Sequence, residues 1–398
     1  MIIIDNPQNC CGCTACASVC PRKAITMQPD ALGFLYPQID KDICTNCGLC
    51  EKVCAFNENY EKSSDNILDV YAVRHKDIKE IEKSRSGAMF VAITDYILGN
   101  NGVVYGAGYS DHFRVTHKRA TTAKERDEFR GSKYVQSDLG DTFSQVAYDL
   151  KEELLVCFSG TPCQVAGLRS FLKIKKIDTD KLIVVDIVCH GTPSPYIWRD
   201  YLAYIEKKHK GKATEVSFRE KKVLGWVAHK ESFTINGEKI ITDTYTNLFY
   251  KHIMLRHSCA VCHYTNTERC SDITLADFWG WENADGQFNI DNKGVSLVLV
   301  NSEKGKKLLT LVSRDIDIKE TTIQIARKLN HPLNTPSTAN PNRDKFERDY
   351  ARKGFLHIIK KYSNQGLVYQ IERRFPIIGK IRWNITNRMI NKLWKRKK

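Results

Sequence analysis

The chain has 398 residues and fifteen cysteines, and twelve of those cysteines fall into spacings that ligate iron–sulfur clusters or metal ions. The first eight form two runs, Cys10-x2-Cys13-x2-Cys16-x3-Cys20 and Cys44-x2-Cys47-x2-Cys50-x3-Cys54. Three thiolates two residues apart wrap one face of a cubane, while the fourth, further along a short helix, points toward the neighbouring cluster. The spacing therefore assigns Cys10, Cys13, Cys16 and Cys54 to one 4Fe–4S cluster and Cys20, Cys44, Cys47 and Cys50 to a second. Paired zinc knuckles are the competing reading, and they do not use this crossed spacing. Cys11 lies beside a ligand and is surplus to both sets.

A second group lies further on. The segments LLVCFSGTPCQVAGL and LIVVDIVCHGTPSP each read as an apolar strand ending in a Gly/Pro turn that leads into a helix. Loops at the carboxyl ends of parallel strands meet in one crevice, which brings Cys163 and Cys189 to a common pocket. Cys259-x2-Cys262 adds two more thiolates, giving a candidate third 4Fe–4S cluster on Cys163, Cys189, Cys259 and Cys262. A zinc site on Cys259, Cys262, Cys270 and one of His257 or His263 stays open as the alternative. Cys157, inside a strand, reads as a core thiol.

These residues need elements to position them. Apolar residues make up 42% and charged residues 27%, with 23 Gly and 11 Pro, a composition that excludes disordered, collagen-like and low-complexity classes. At about 150 residues per domain the length suggests two to three domains. No apolar run approaches the roughly 18 residues of a membrane span, and the opening MIIIDNPQNC lacks the features of a signal peptide, so a cytoplasmic location is expected. A reducing cytoplasm favours ligation over disulfides for so many cysteines.

The expected division is a two-cluster module over 1–60, a mixed or mainly parallel α/β domain over 67–335, and a basic helical tail over 341–398. The linker Asn57–Asp65 is polar. Strands are predicted at Leu68–Val73, Gly102–Tyr105, Leu154–Phe158, Leu182–Val188 and Ser296–Val300. Helices are predicted at Met89–Leu98, Asp141–Glu152, Gln164–Leu172, Pro195–Lys207, Thr244–Leu255 and Lys304–Ser313, with a hairpin at Asn236-Gly237. Net charge is +15, yet residues 341–398 hold 17 Lys/Arg against 4 Asp/Glu and carry +13 of it. After Pro376, Ile378, Ile381, Ile385, Met389 and Leu393 recur at helical spacing among Lys and Arg. That segment is a candidate for peripheral contact with an anionic membrane or an acidic partner, or for packing on the protein body. It matches no nucleic-acid motif, so nucleic acid is not an expected partner.

The first 55 residues or so resemble bacterial two-cluster ferredoxins, with Ala55 where proline usually follows the last cysteine. The blocks SRSGAMFVAI (Ser84–Ile93), GSKYVQS (Gly131–Ser137), FSGTPCQVAGL (Phe158–Leu168), VDIVCHGTPSP (Val185–Pro195) and DITLADFWG (Asp272–Gly280) resemble those of the family of coenzyme F420 hydrogenase/dehydrogenase beta subunits. Relatives in that family include a hydroxymethyl-chlorophyll reductase and the flavin domain of deazaflavin-dependent sulfite reductases. The resemblance implies FAD and one 4Fe–4S cluster, the latter on Cys163, Cys189, Cys259 and Cys262, often with a ferredoxin module in front. It places flavin contacts on Ser86, Gly87, Lys133 and Tyr134, although Gly87-Ala88 stands where the family often has two glycines.

The residues alone offer no GxGxxG or Walker sequence. They offer Gly87 at a helix start with Ser84 and Ser86 as capping candidates, and Lys133 in a turn suited to a pyrophosphate or a flavin carbonyl. Asp277, Trp279 and Trp281 are candidates for a pocket wall or for core packing. The expected function is an iron–sulfur flavoprotein oxidoreductase that passes electrons between the clusters, FAD and a hydride-exchanging small molecule such as a deazaflavin, a nicotinamide or an organic substrate. Its partner would be a ferredoxin or another oxidoreductase subunit. The alternatives are an electron-transfer subunit without its own substrate and a cluster-plus-zinc regulatory or binding protein. No catalytic residue is singled out.

Overall fold

The structure, a computed structural model, describes residues 2–57 and 69–365. Each cysteine run enters a helix of one turn, Ala15–Val19 or Leu49–Lys52, through a residue in the left-handed region, Thr14 (φ 63°) or Gly48 (φ 75°). Between the runs, β1 (Ile25–Pro29) and β2 (Leu35–Ile39) pair antiparallel. The tip of this hairpin is inserted into the rest of the protein. Leu32 and Phe34 are buried in one cluster with Ile197, Trp198, Tyr201 and Phe233. Tyr196 N and Ser194 Oγ both donate to Leu32 O, at 3.1 and 2.6 Å.

The body is built on an eight-stranded mixed sheet. Its strands are β3 (Asp69–His75), β4 (Val103–Tyr109), β5 (Val115–Ala120), β6 (Val156–Gly160), β7 (Leu182–Ile187), β11 (Ile273–Asp277), β12 (Ser296–Val300) and β13 (Ile316–Glu320). In space they run β13-β3-β12-β11-β7-β6-β4-β5; the contacts among β11, β7, β6 and β4 are parallel, and the flanks are antiparallel. All five residues of β12 are buried, as a strand covered on both faces requires.

Helices Thr142–Lys151 and Pro162–Lys175 cover one face and share a core with Cys13, Val19 and Val53 of the N-terminal module. Helices Met89–Gly99 and Glu303–Leu311 cover the other. The smaller sheet of β8 (Ala213–Ser217), β9 (Glu231–Ile235) and β10 (Glu238–Thr242) contains the expected hairpin, with Asn236 and Gly237 at φ 51° and 79°, the signs a type I′ turn requires.

The strand expected at Ser296–Val300 is found with those bounds, and the helix expected at Thr244–Leu255 stops at Tyr250. His252 turns left-handed (φ 54°), and Leu255 bridges to Pro193, which re-aims the chain toward Cys259. A last helix, Arg343–Tyr362, broken at Gly354, lies on helix Pro195–Lys208 with Phe355 against Tyr201 and Tyr204. The amphipathic segment expected after Pro376 and the linker residues 58–65 lie outside the described residues. Among the described residues no helix is long and apolar enough to cross a membrane.

Candidate metal centres

Two clefts open in the N-terminal module, each holding one of the crossed sets of four cysteines, the second with Cys11 in its wall as well. One, of about 370 Å3 including its mouth, is lined by Cys20, Cys44, Cys47 and Cys50 with Ile25, Ile39 and Leu49. The other, of about 330 Å3, is lined by Cys10, Cys13, Cys16 and Cys54 with Ile2, Met27 and Phe56. Thus Cys20 and Cys54 each leave their own run for the other cleft. Backbone amides aim at the sulfurs: Ile2 N donates to Cys50 Sγ at 3.2 Å and Ala24 N to Cys20 Sγ at 3.3 Å. The walls are apolar and the sulfurs sit around a space larger than one ion occupies, since zinc holds its thiolates at about 2.3 Å. These features fit a cubane in each cleft. Cys47 is exposed at the outer cleft, whereas Cys13 and Cys16 of the inner one are buried.

The third set converges from three loops. Cys163 opens helix Pro162–Lys175 just after β6, Cys189 lies two residues beyond the neighbouring β7, and Cys259 and Cys262 flank and enter a turn at His257–Val261. Burial pushes the Cys189 thiol well up, and the charges of Cys259, Cys163 and Cys262 push it further, so the four stand within electrostatic reach of one another. Three sulfurs have a backbone donor, Gly191 N at 3.4 Å from Cys189, Thr192 N at 3.4 Å from Cys259 and Tyr264 N at 3.5 Å from Cys262, and Thr161 Oγ1 lies 3.3 Å from Cys163 Sγ. Donors to thiolate sulfur favour its anionic form, which a cluster ligand must be.

Arg269 anchors this loop, donating from Nη2 to Asp186 Oδ2 at 2.7 Å and from Nη1 to Tyr264 O at 3.0 Å, both in full burial. The groups of the mixed zinc alternative are engaged elsewhere. Cys270 donates its thiol hydrogen to Pro162 O at 3.3 Å, His257 Nε2 is 2.9 Å from Glu347, and His263 stacks on Phe56 at 4.3 Å. The surplus Cys11 is buried between the inner and third sets. Its two neighbours, Cys13 and then Cys163, push its pKa well up, as does its burial.

The residues that the family resemblance places at a flavin do not ring one cavity by themselves. Ser86 Oγ donates to Val295 O. A Cβ on Gly87 would come within 2.1 Å of Val73 O, so its missing side chain serves close strand packing. Helix Met89–Gly99 starts from Ala88 (φ 65°) with no side-chain cap, which corrects the expected capping by Ser84 or Ser86. Lys133 Nζ donates to Arg130 O at 3.0 Å and sits 5.3 Å over the Tyr109 ring; burial pushes its pKa down to about 7. Tyr134 stacks on Phe249 at 4.5 Å, and its hydroxyl accepts from Arg219 Nη1 at 3.3 Å.

Beside them lies a cationic, aromatic group that the sequence reading did not single out as a whole. Asp277 accepts from Arg219 Nη1 and Trp226 Nε1, both at 3.2 Å, and lies 3.5 Å from Arg85 Nε. Arg85 Nη1 is buried with no hydrogen-bond partner. Lys221, pushed down to about 7 by burial and then by Arg85, donates to Ile81 O and Ser84 O at 2.6 and 2.9 Å. Three cations against one carboxylate, with an orphaned guanidinium nitrogen among them, form a seat for an anion.

Trp226 and Trp279 stack at 4.6 Å beside this group, and ring contacts of 5.3 to 5.6 Å run from Trp279 through His229 and Tyr250 to His190, the neighbour of Cys189. Of the three candidates for a pocket wall, Asp277 and Trp279 belong here, while Trp281 packs against the core of β12. Arg85 within SRSG and the doublet Arg219/Lys221 were the available signals. The residues fit the phosphate and ring of a flavin nucleotide.

Residues 154–325 match the family model for the C terminus of the coenzyme F420 hydrogenase/dehydrogenase beta subunit, and residues 9–57 match the 4Fe–4S dicluster domain. The chain is 21% identical over 194 residues to the F subunit of the F(420)H(2) dehydrogenase from Methanosarcina mazei. That match covers 45% of this chain and 53% of the relative, so the chain spans about half the length of that curated relative. A solved chain from the F420-reducing NiFe hydrogenase complex of Methanosarcina barkeri is similar with a TM-score of 0.48 and 16% identity, over 73% of this chain and 96% of that one.

Proposed function

We propose that this chain, whose residues 154–325 match the C terminus of the coenzyme F420 hydrogenase/dehydrogenase beta subunit and whose residues 9–57 match a 4Fe–4S dicluster domain, is an iron–sulfur flavoprotein subunit of a larger oxidoreductase. In this reading it exchanges electrons with a partner protein at the outer cleft and with a hydride-exchanging small molecule beside the cationic group. The observation that supports it best is the succession of three cysteine sets, with Cys13 Sγ packed against Gly167 of the helix that Cys163 opens. The M. mazei relative, named as part of a dehydrogenase, supports a working partner.

Bound flavin supplies the exchange between a hydride and single electrons, and the clusters supply single-electron storage. The chain's own residues do the rest. Cys10, Cys13, Cys16 and Cys54 hold the inner cluster; Cys20, Cys44, Cys47 and Cys50 hold the outer; Cys163, Cys189, Cys259 and Cys262 hold the third. Arg85, Arg219 and Lys221 bind the anionic end of the flavin nucleotide, and Lys133 and Tyr134 border it. The apolar walls of the inner cleft keep water from the cluster. Exposed Cys47 marks the approach for the partner.

Anaerobic purification with iron, sulfide, zinc and flavin measured on one sample tests this reading. About twelve iron and one flavin per chain, with no zinc, are expected from three cubanes. About eight iron with one zinc and no flavin overturns it.

A further inference from the structure

Arg256 is 1% exposed, yet no carboxylate pairs with it among the described residues. Its fork is spent on the inner cysteine loop. Nε donates to Cys10 O at 2.8 Å, Nη2 to Leu35 O at 3.0 Å and to Cys10 Sγ at 3.5 Å, and Nη1 to Gln136 Oε1 at 2.9 Å. Gln136 in turn donates to Cys11 O at 3.0 Å. The guanidinium lies 4.1 Å over the Tyr36 ring, and a Cβ on Gly12 would meet Nη1 at 2.8 Å. Burying a cation without a countercharge is costly, so something anionic must balance it. The sulfur within its reach is Cys10 Sγ, which is a thiolate when it holds iron, so a cluster in this cleft would supply the balance.

We propose that Arg256 is a positioning and tuning residue that raises the reduction potential of the cluster held by Cys10, Cys13, Cys16 and Cys54. This rests on the assignment of those cysteines as cluster ligands. A cubane on four thiolates is anionic, and one added electron makes it more so; a fixed buried cation at a ligand sulfur therefore stabilises the reduced form more than the oxidised one. Arg22 lines the outer cleft but is exposed, so water and salt screen its charge. Arg256 comes from the loop that carries Cys259, and its amide donates to Thr192 O at 2.9 Å. The body thus delivers a charge to the inner centre from beside the third set.

The test is a redox titration followed by electron paramagnetic resonance on the full chain, with iron counted on every sample, for wild type, Arg256→Gln, Arg256→Lys and Gln136→Glu. Arg256→Gln is expected to keep its iron and move one midpoint to more negative potential by at least a tenfold change in the one-electron equilibrium, 59 mV. Arg256→Lys, which keeps the charge without the fork, recovers most of the shift. Gln136→Glu, which sets a carboxylate against an intact Arg256, lowers the same midpoint.

The midpoint that moves is the one a Cys10→Ser replacement also moves. Unchanged midpoints at full iron overturn the inference, as does a shift in a midpoint that Cys10→Ser leaves alone. Equal loss of one cluster's iron in the Gln and Lys variants shows a purely structural role and overturns it too. Absence of cubane iron from the wild type defeats instead the ligand assignment on which the inference rests.

Discussion

The two N-terminal cysteine sets share one spacing and differ in almost everything around it. The outer set opens to solvent, and its loop enters the helix through Gly48, for which a left-handed backbone costs nothing. The inner set is walled by the body. Helix Pro162–Lys175 passes so close that a Cβ on Gly167 would sit 2.8 Å from Cys13 Sγ, and Arg256 and Gln136 bind the loop carbonyls. Its loop enters the helix through Thr14, a β-branched residue in the left-handed region whose buried hydroxyl has no partner. Ligand spacing alone therefore specifies a cluster site, while the protein around it specifies whether that site is a port or an interior station.

The largest effect should come from cutting the body's grip. Arg269→Met leaves Asp186 as an unpaired buried charge, and a loss of about 3–5 kcal/mol is expected in chemical denaturation. Iron of the third set should go with it while the outer cluster's spectroscopic signal persists. Loss of the outer signal at the same denaturant concentration would show that the outer set does not stand apart from the body.

A reciprocal pair probes the loops themselves. Thr14→Gly is expected to relieve roughly 1–2 kcal/mol of backbone strain and slow the release of inner iron to a chelator. Gly48→Ala should cost roughly 1 kcal/mol and hasten release from the outer set. Equal chelation rates in both variants would show the entry residues to be immaterial.

A separate effect lies away from both sets. Burial holds folded Lys133 near pKa about 7, against about 10.4 in an unfolded chain. Between those values the unfolded chain binds the extra proton, so stability should rise as pH climbs from 7 toward 10. Lys133→Met should remove its share of that rise and leave the share of Lys221, read from thermal unfolding, with iron content unchanged.

What was legible in the sequence is what is local along it. The crossed pairing of Cys20 and Cys54 follows from the spacing within each run, and Cys163 and Cys189 follow from strand–turn–helix patterns whose geometry is set within a dozen residues. The α/β pattern placed β12, buried on both faces and so continuously apolar, with its correct bounds. Arg256 and Gln136 could not be read this way. They lie 246 and 125 residues from the backbone carbonyls they bind, and a lone Arg or Gln has no periodicity.

The same limit hid β11 and β13, and the group of Arg85, Arg219, Lys221 and Asp277, which is assembled from three distant segments. Helix Thr244–Tyr250 is shorter than its sequence pattern because Ile253, Met254 and Leu255 continue the helical spacing of Phe249 after the backbone has turned, and serve the core from a loop.

The buried hairpin tip and the arginine clasp also set a timetable. The cysteine runs leave the ribosome first, but the Arg256 guanidinium that closes over Cys10 is translated 246 residues later. At roughly 5–20 residues per second that interval is roughly 12–50 s. Until Ile197, Trp198 and Tyr201 are made Leu32 and Phe34 have no core to enter, and until Arg256 follows the inner cleft has neither lid nor countercharge. In that interval the inner cysteines stand open to solvent, and the finished body closes over them while Cys47 of the outer set stays exposed.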